Sequence, residues 1–139
     1  MFYVDLDGMK IINDTYGHVQ GDLALKGAAA VLRGTFRESD IVARLGGDEF
    51  AALSFAATEQ SAAGLQARLL WRLDDFNAER QLPYQLSLSY GYTRFVPEEP
   101  ATLEELTARA DVDLYDRKRA KNTTAPTSRE GRLGGGGRD

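Results

Sequence analysis

Apolar positions divide the chain into short segments whose spacing predicts their form. Phe2-Tyr3-Val4 and Leu6, running into Asp5 and Asp7, read as a buried central strand. Met9, Ile12 and Tyr16 share a helical face, and Gly17-His18 and Gly21 are expected to break that helix. From Asp22 to Arg37, the positions Leu25, Ala28, Ala29, Leu32 and Phe36 mark an amphipathic helix. Ile41–Leu45 and Phe50–Phe55 predict two strands, joined through Gly46-Gly47 as a hairpin because both glycines accept positive φ.

Leu65, Leu69, Leu73 and Phe76 repeat at helical spacing between Thr58 and Glu79. Gln85–Tyr92 alternates strictly, with Leu86, Leu88, Tyr90 and Tyr92 on one side, as in a half-buried strand. Tyr90, Tyr92 and Phe95 are assigned to sheet packing. Thr102 and Glu105 form a capping box for a last helix reaching about Ala120, with Leu103, Leu106, Ala110 and Leu114 inward. The order predicts an α+β fold: an antiparallel sheet covered by helices, ferredoxin-like or palm-type.

Composition narrows the function classes. The 139 residues include no Cys, excluding a disulfide framework and thiolate metal sites. A net charge of -4 offers no basic footprint for nucleic acid. No apolar run approaches the ~20 residues of a membrane span, and the first residues lack a signal-peptide layout, so a cytoplasmic domain without membrane contact is expected.

If the hairpin pairs beside the first strand, Asp5 and Asp7 meet Asp48 and Glu49 at one edge of the sheet. Such an oxygen-rich cluster suits Mg²⁺ or Mn²⁺, which would relieve carboxylate repulsion and bind substrate phosphates. The residues leave a plainer alternative open: Asp7 as an N-cap and Asp48-Glu49 as a solvated hairpin tip. A helix opening at Gly8–Lys10 would offer free N–H groups and the Lys10 charge to phosphate oxygens.

The block Asp5-Leu6-Asp7-Gly8-Met9-Lys10-Ile11-Ile12-Asn13-Asp14-Thr15-Tyr16-Gly17-His18, then Gly21-Asp22, then Arg44-Leu45-Gly46-Gly47-Asp48-Glu49-Phe50, strongly resembles the GGDEF family of diguanylate cyclases. Ser89-Tyr90-Gly91 and the stretch from Ala108 to Lys118 also match. The resemblance implies the palm-type nucleotide cyclase fold and condensation of two GTP into cyclic di-GMP and two pyrophosphates. In that family's reaction a ribose 3′-hydroxyl attacks an α-phosphate, which implies one GTP held by each domain of a homodimer. It implies Asp5, Asp48 and the main-chain carbonyl of Leu6 as ligands of Mg²⁺ or Mn²⁺. By the same resemblance Asp48 and Glu49 would carry the chemistry, and Gly46 and Gly47 would admit substrate to the backbone.

Asn13 and Asp22 match the guanine-binding pair, whose acceptors suit guanine N1–H and N2–H₂ and not adenine. Asn13 as a helix surface residue and Asp22 as an N-cap are the plainer readings. Lys118 matches a phosphate-binding lysine. Arg119-Ala120-Lys121-Asn122 runs one residue short of the family pattern, with Lys121 nearest to its second phosphate-binding cation. Arg37 and Asp40 fit the R-x-x-D of an inhibitory product site.

The resemblance makes residues 1–122 a GGDEF domain without its usual N-terminal helix and sensory domain, followed by a disordered tail over 123–139. A catalytically silent module binding GTP or cyclic di-GMP is the alternative function.

Overall fold

The computed structural model describes residues 1–55 and 58–123, the side chains of 121–123 excepted. Its elements are β1 (Phe2–Leu6), α1 (Met9–Tyr16), α2 (His18–Thr35), β2 (Ile41–Gly46), β3 (Glu49–Leu53), α3 (Glu59–Glu79), β4 (Leu88–Tyr92) and α4 (Leu103–Thr123). The antiparallel sheet has the order β2-β3-β1-β4, placing β1 in the interior. Strand periodicity then sorts its side chains. Phe2, Val4 and Leu6 join Phe50, Ala52 and Leu88 in a core that α2 and α3 complete with Ala28, Leu32, Leu65 and Leu69. Tyr3 and Asp5 face the opposite way, where Tyr3 packs with Ala110 and Leu114 of α4.

That second face explains Gly91. It is paired with Tyr3 across the β1–β4 ladder and lies directly beneath α4. A Cβ built on it would stand 1.8 Å from the Ala110 carbonyl oxygen and 2.5 Å from the Leu114 amide nitrogen. Only glycine admits the helix so close. Strand β4 is therefore covered on both sides.

Several sequence expectations shift. Gly21 lies inside α2, which begins at His18, because it provides room for a side chain of α1. Strand β4 starts only at Leu88, since Leu86 is gripped by Asn77 of α3 through two 2.8 Å hydrogen bonds. Leu103 and Phe95 are half exposed rather than inward, at the mouth of an apolar cavity bounded by Phe2, Tyr92 and Leu106. Helix α4 extends to Thr123, and the remainder of the expected tail lies outside the described residues. The Thr102–Glu105 capping box forms as expected, each backbone N–H donating to the other side chain at 3.1 Å. Among the described residues no helix is long and apolar enough to cross a membrane.

Candidate active site

The turn between β2 and β3 places the acidic pair. Gly46 and Gly47 both take positive φ, 150° and 51°. Arg44 donates through Nε and Nη2 to the Gly47 carbonyl at 3.0 and 2.7 Å, pinning the turn. The Leu6 amide donates to the Asp48 carbonyl at 2.9 Å, fastening it to the end of β1. Register then lines up Glu49, Asp5 and Ser89 in one row across β3, β1 and β4 on the α4 side.

Asp5 is the electrostatic centre. Burial raises its carboxyl above the usual range, and the adjoining Asp48 adds to this, against the opposing pull of Lys118. Lys118, reaching across from α4, contacts Asp5 Oδ2 at 2.6 Å and stands 4.0 Å from Asp7 Oδ1. Burial alone would lower the Lys118 ammonium. The hydrogen bond to Asp5 and the charges of Asp5, Asp7 and Asp48 outweigh it and raise the group. Tyr3, beneath Glu49, is pushed up to about 12 by burial, by its hydrogen bond to Glu49 and by the surrounding carboxylates.

A divalent cation suits this donor set. Asp5 Oδ1 is buried without a hydrogen-bond partner, beside a second carboxylate that repels it. A hard ion satisfies both defects. Among the described residues no cluster of three or more His, Cys, Asp or Glu could hold a metal alone. The cation would need main-chain, water or phosphate oxygens as well, the usual habit of Mg²⁺. A cavity of about 110 Å³ lined by Tyr3, Asp5, Glu49, Asp111, Tyr115 and Lys118 adjoins the row.

Asp7 is not an N-cap. Gly8 holds that position in the left-handed region, φ 70°, with no side-chain cap. Instead Ser87 Oγ donates to Asp7 Oδ2 at 2.8 Å, and Ser89 Oγ donates to Oδ1 and Oδ2 at 2.7 and 2.9 Å. Lys10 is exposed in the first turn of α1.

Asn13 is half-buried on α1, its Oδ1 buried without a partner and pressed against Gly21. A Cβ at Gly21 would lie 1.8 Å from that oxygen. Asp22 follows on the exposed surface of α2, inside the helix and therefore not its N-cap. The close approach of α1 to Gly21 brings Asn13 beside the residue preceding Asp22.

Arg37 and Asp40 lie elsewhere, in the connection from α2 to β2. The Arg37 amide donates to Asp40 Oδ2 at 2.9 Å, and the Phe55 amide to Asp40 Oδ1 at 3.4 Å. They line a cavity of about 360 Å³ together with Ser39, Ser61 and Arg68. The sequence assigned no role to Arg44, Arg68, Ser87 or Ser89, although Arg44 and Ser89 lie within its matched motifs. The alternation Ser87-Leu88-Ser89 carried the signal for the serines, since period two puts both hydroxyls on the Asp5 face. The Lys121 side chain lies outside the described residues.

A four-stranded antiparallel sheet with helices on both faces, and carboxylates beside a glycine turn, defines a palm-type domain of the nucleotide cyclase kind. Residues 1–124 match the diguanylate cyclase GGDEF domain, and the chain belongs to that family. It is 37% identical over 118 residues to the bifunctional diguanylate cyclase/cyclic di-GMP phosphodiesterase MucR of Pseudomonas aeruginosa, covering 85% of this chain and 17% of that protein. Diguanylate cyclase DgcZ of Escherichia coli is 32% identical over 119 residues, with 85% and 40% covered. The chain thus spans well under half the length of these relatives. Among solved structures, diguanylate cyclase SiaD of Pseudomonas aeruginosa, in complex with its activator SiaC, superposes with a TM-score of 0.74 at 30% identity, covering 86% of this chain and 45% of that one. The GGDEF domain of DgcB from Caulobacter crescentus, in complex with c-di-GMP, gives 0.69 at 27% identity, covering 86% and 71%.

Proposed function

We propose that this domain condenses two GTP molecules into cyclic di-GMP, two copies facing each other with one GTP apiece. The observation that carries the reading is the meeting of Asp5 and Asp48 at one strand end, with Asp5 Oδ1 buried and unpartnered and Lys118 within reach. Asp5, Asp48 and the Leu6 carbonyl would hold Mg²⁺ or Mn²⁺. A cation held there would supply Lewis-acid activation of the 3′-hydroxyl and charge neutralisation at the phosphates.

The chain's own residues do the rest. Asp48 and Glu49 take the proton that leaves the attacking hydroxyl, while Gly46 and Gly47 leave the backbone bare for the nucleotide. Lys118 exchanges Asp5 for phosphate oxygens, and Lys10 adds charge at the start of α1. Asn13 and Asp22 select guanine, with the exposed Asp22 carboxylate accepting from the N–H donors that adenine lacks. Arg37 and Asp40 take up product in their separate cavity, where Arg68 adds a second guanidinium, and product bound there inhibits synthesis.

Mass spectrometry of products from GTP and Mg²⁺ at high chain concentration tests this. One cyclic di-GMP per two pyrophosphates is the expected result. Stoichiometric GTP or cyclic di-GMP binding with no product contradicts it and favours a silent binding module. The size and separate placement of the Arg37–Asp40 cavity make that second reading concrete.

A further inference from the structure

Asp7 does no work in the scheme above, yet two serine hydroxyls fix its carboxylate. Ser87 donates to Oδ2, Ser89 shares its single proton between both oxygens, and the Asp7 amide is itself bound to the Ser87 carbonyl at 2.9 Å. Carboxylate, β4 and the end of β1 therefore form one rigid unit. Lys118 is the cation it faces, 4.0 Å away, while the same ammonium contacts Asp5 at 2.6 Å. The ammonium lies between two carboxylates on the same sheet face, one close and one in reserve.

We propose that Asp7 is a positioning residue that receives the Lys118 ammonium when a divalent cation takes Asp5. The inference rests on the metal reading of Asp5 and Asp48. An ammonium 2.6 Å from Asp5 Oδ2 repels a divalent cation arriving at the unpartnered Oδ1 of the same carboxylate. Without a second anchor, the displaced ammonium would either oppose the metal or leave the site. With Asp7 held rigid by two serines, it moves a short way and stays over the place where phosphate oxygens arrive. The serines serve that end by fixing both carboxylate oxygens, so that Asp7 cannot itself swing to the metal.

A double-mutant cycle separates this from a general charge effect, with Mn²⁺ alone as the probe and the electron paramagnetic resonance signal of free Mn²⁺ as the readout, on the full chain without nucleotide. Asp7→Asn is expected to weaken Mn²⁺ binding about fivefold when Lys118 is present, and by less than about twofold in the Lys118→Met background. Ser89→Ala, which leaves the carboxylate in place but frees it, repeats the pattern at about twofold and decides the matter if Asp7→Asn melts out. Equal loss in both backgrounds would overturn the proposal, because Asp7 would then act on the metal by its own charge. No loss in either background overturns it too. If the unsubstituted chain binds no Mn²⁺, the metal reading itself fails, and the inference with it.

Discussion

Replacing Gly91 by alanine puts a methyl group where α4 crosses β4. The new Cβ would lie 1.8 Å from the Ala110 carbonyl oxygen, 2.5 Å from the Leu114 amide nitrogen and 2.9 Å from Leu114 Cβ. Two of those atoms are backbone, so no rotamer change relieves the overlap. Restoring an ordinary contact requires lifting α4 by about 1.5 Å. That opens the packing of Tyr3, Ala110 and Leu114 and draws Lys118 away from Asp5, where the pair now stands at 2.6 Å. Overpacking against well-packed atoms costs up to about 3 kcal/mol, and the backbone contact puts this site at the upper end. For a domain of this size the melting temperature should fall by roughly 10 °C.

Gly64→Ala is the internal control. It lies in α3, and a Cβ there meets nothing within 4 Å. Relief of glycine entropy in a helix should raise stability by about 0.5–1 kcal/mol. Thermal unfolding followed by circular dichroism reads both. A Gly91→Ala variant that melts with the unsubstituted protein would refute the seating of α4 on the sheet.

Arg37→Ala should relieve inhibition by added cyclic di-GMP at least tenfold in a synthesis assay while leaving the initial rate unchanged, since Arg37 lies apart from the acidic row. Gly21→Ala should displace Asn13 and lower GTP affinity tenfold or more relative to ATP, read by calorimetry; equal losses for both nucleotides would detach Asn13 from base choice. Tyr3 titrates at about 12 in the folded chain, above its unfolded value of 10. Its contribution to stability is therefore whole below pH 10 and is lost as pH rises through 12. Glu49→Gln should move the tyrosinate absorbance step down, and a step that stays put would separate Glu49 from Tyr3.

The element order and the hairpin were legible because both rest on local rules: period two, period 3.6, and two glycines accepting positive φ. Burial on one sheet face was legible for the same reason. What escaped depends on contacts between distant segments. Nothing near Gly91 in the chain reveals that α4 will press on it, so β4 read as covered on one face only. Gly21 read as a breaker because its partner, Asn13, belongs to the preceding helix. Asp7 carried an N-cap pattern by position, but the chain turned at Gly8 and two serines some eighty residues away took the carboxylate. Leu103 fitted the inward stripe of α4 by spacing, yet as the first residue of the helix it is 60% exposed at the mouth of the cavity beside Phe2 and Tyr92. The meeting of Asp5 with Asp48 followed from pairing alone, whereas the hold of Arg44 on the Gly47 carbonyl needed the turn's actual geometry.

The central claim is that Asp48 and Asp5 together make a metal-dependent cyclase site. Its most direct measurement compares cyclic di-GMP formation from GTP and Mg²⁺ by the unsubstituted chain and by Asp48→Ala, each checked for folding by its melting temperature. The account predicts product from the first, with a rate rising faster than linearly with chain concentration, and none from a fully folded Asp48→Ala. Undiminished synthesis by Asp48→Ala would contradict it.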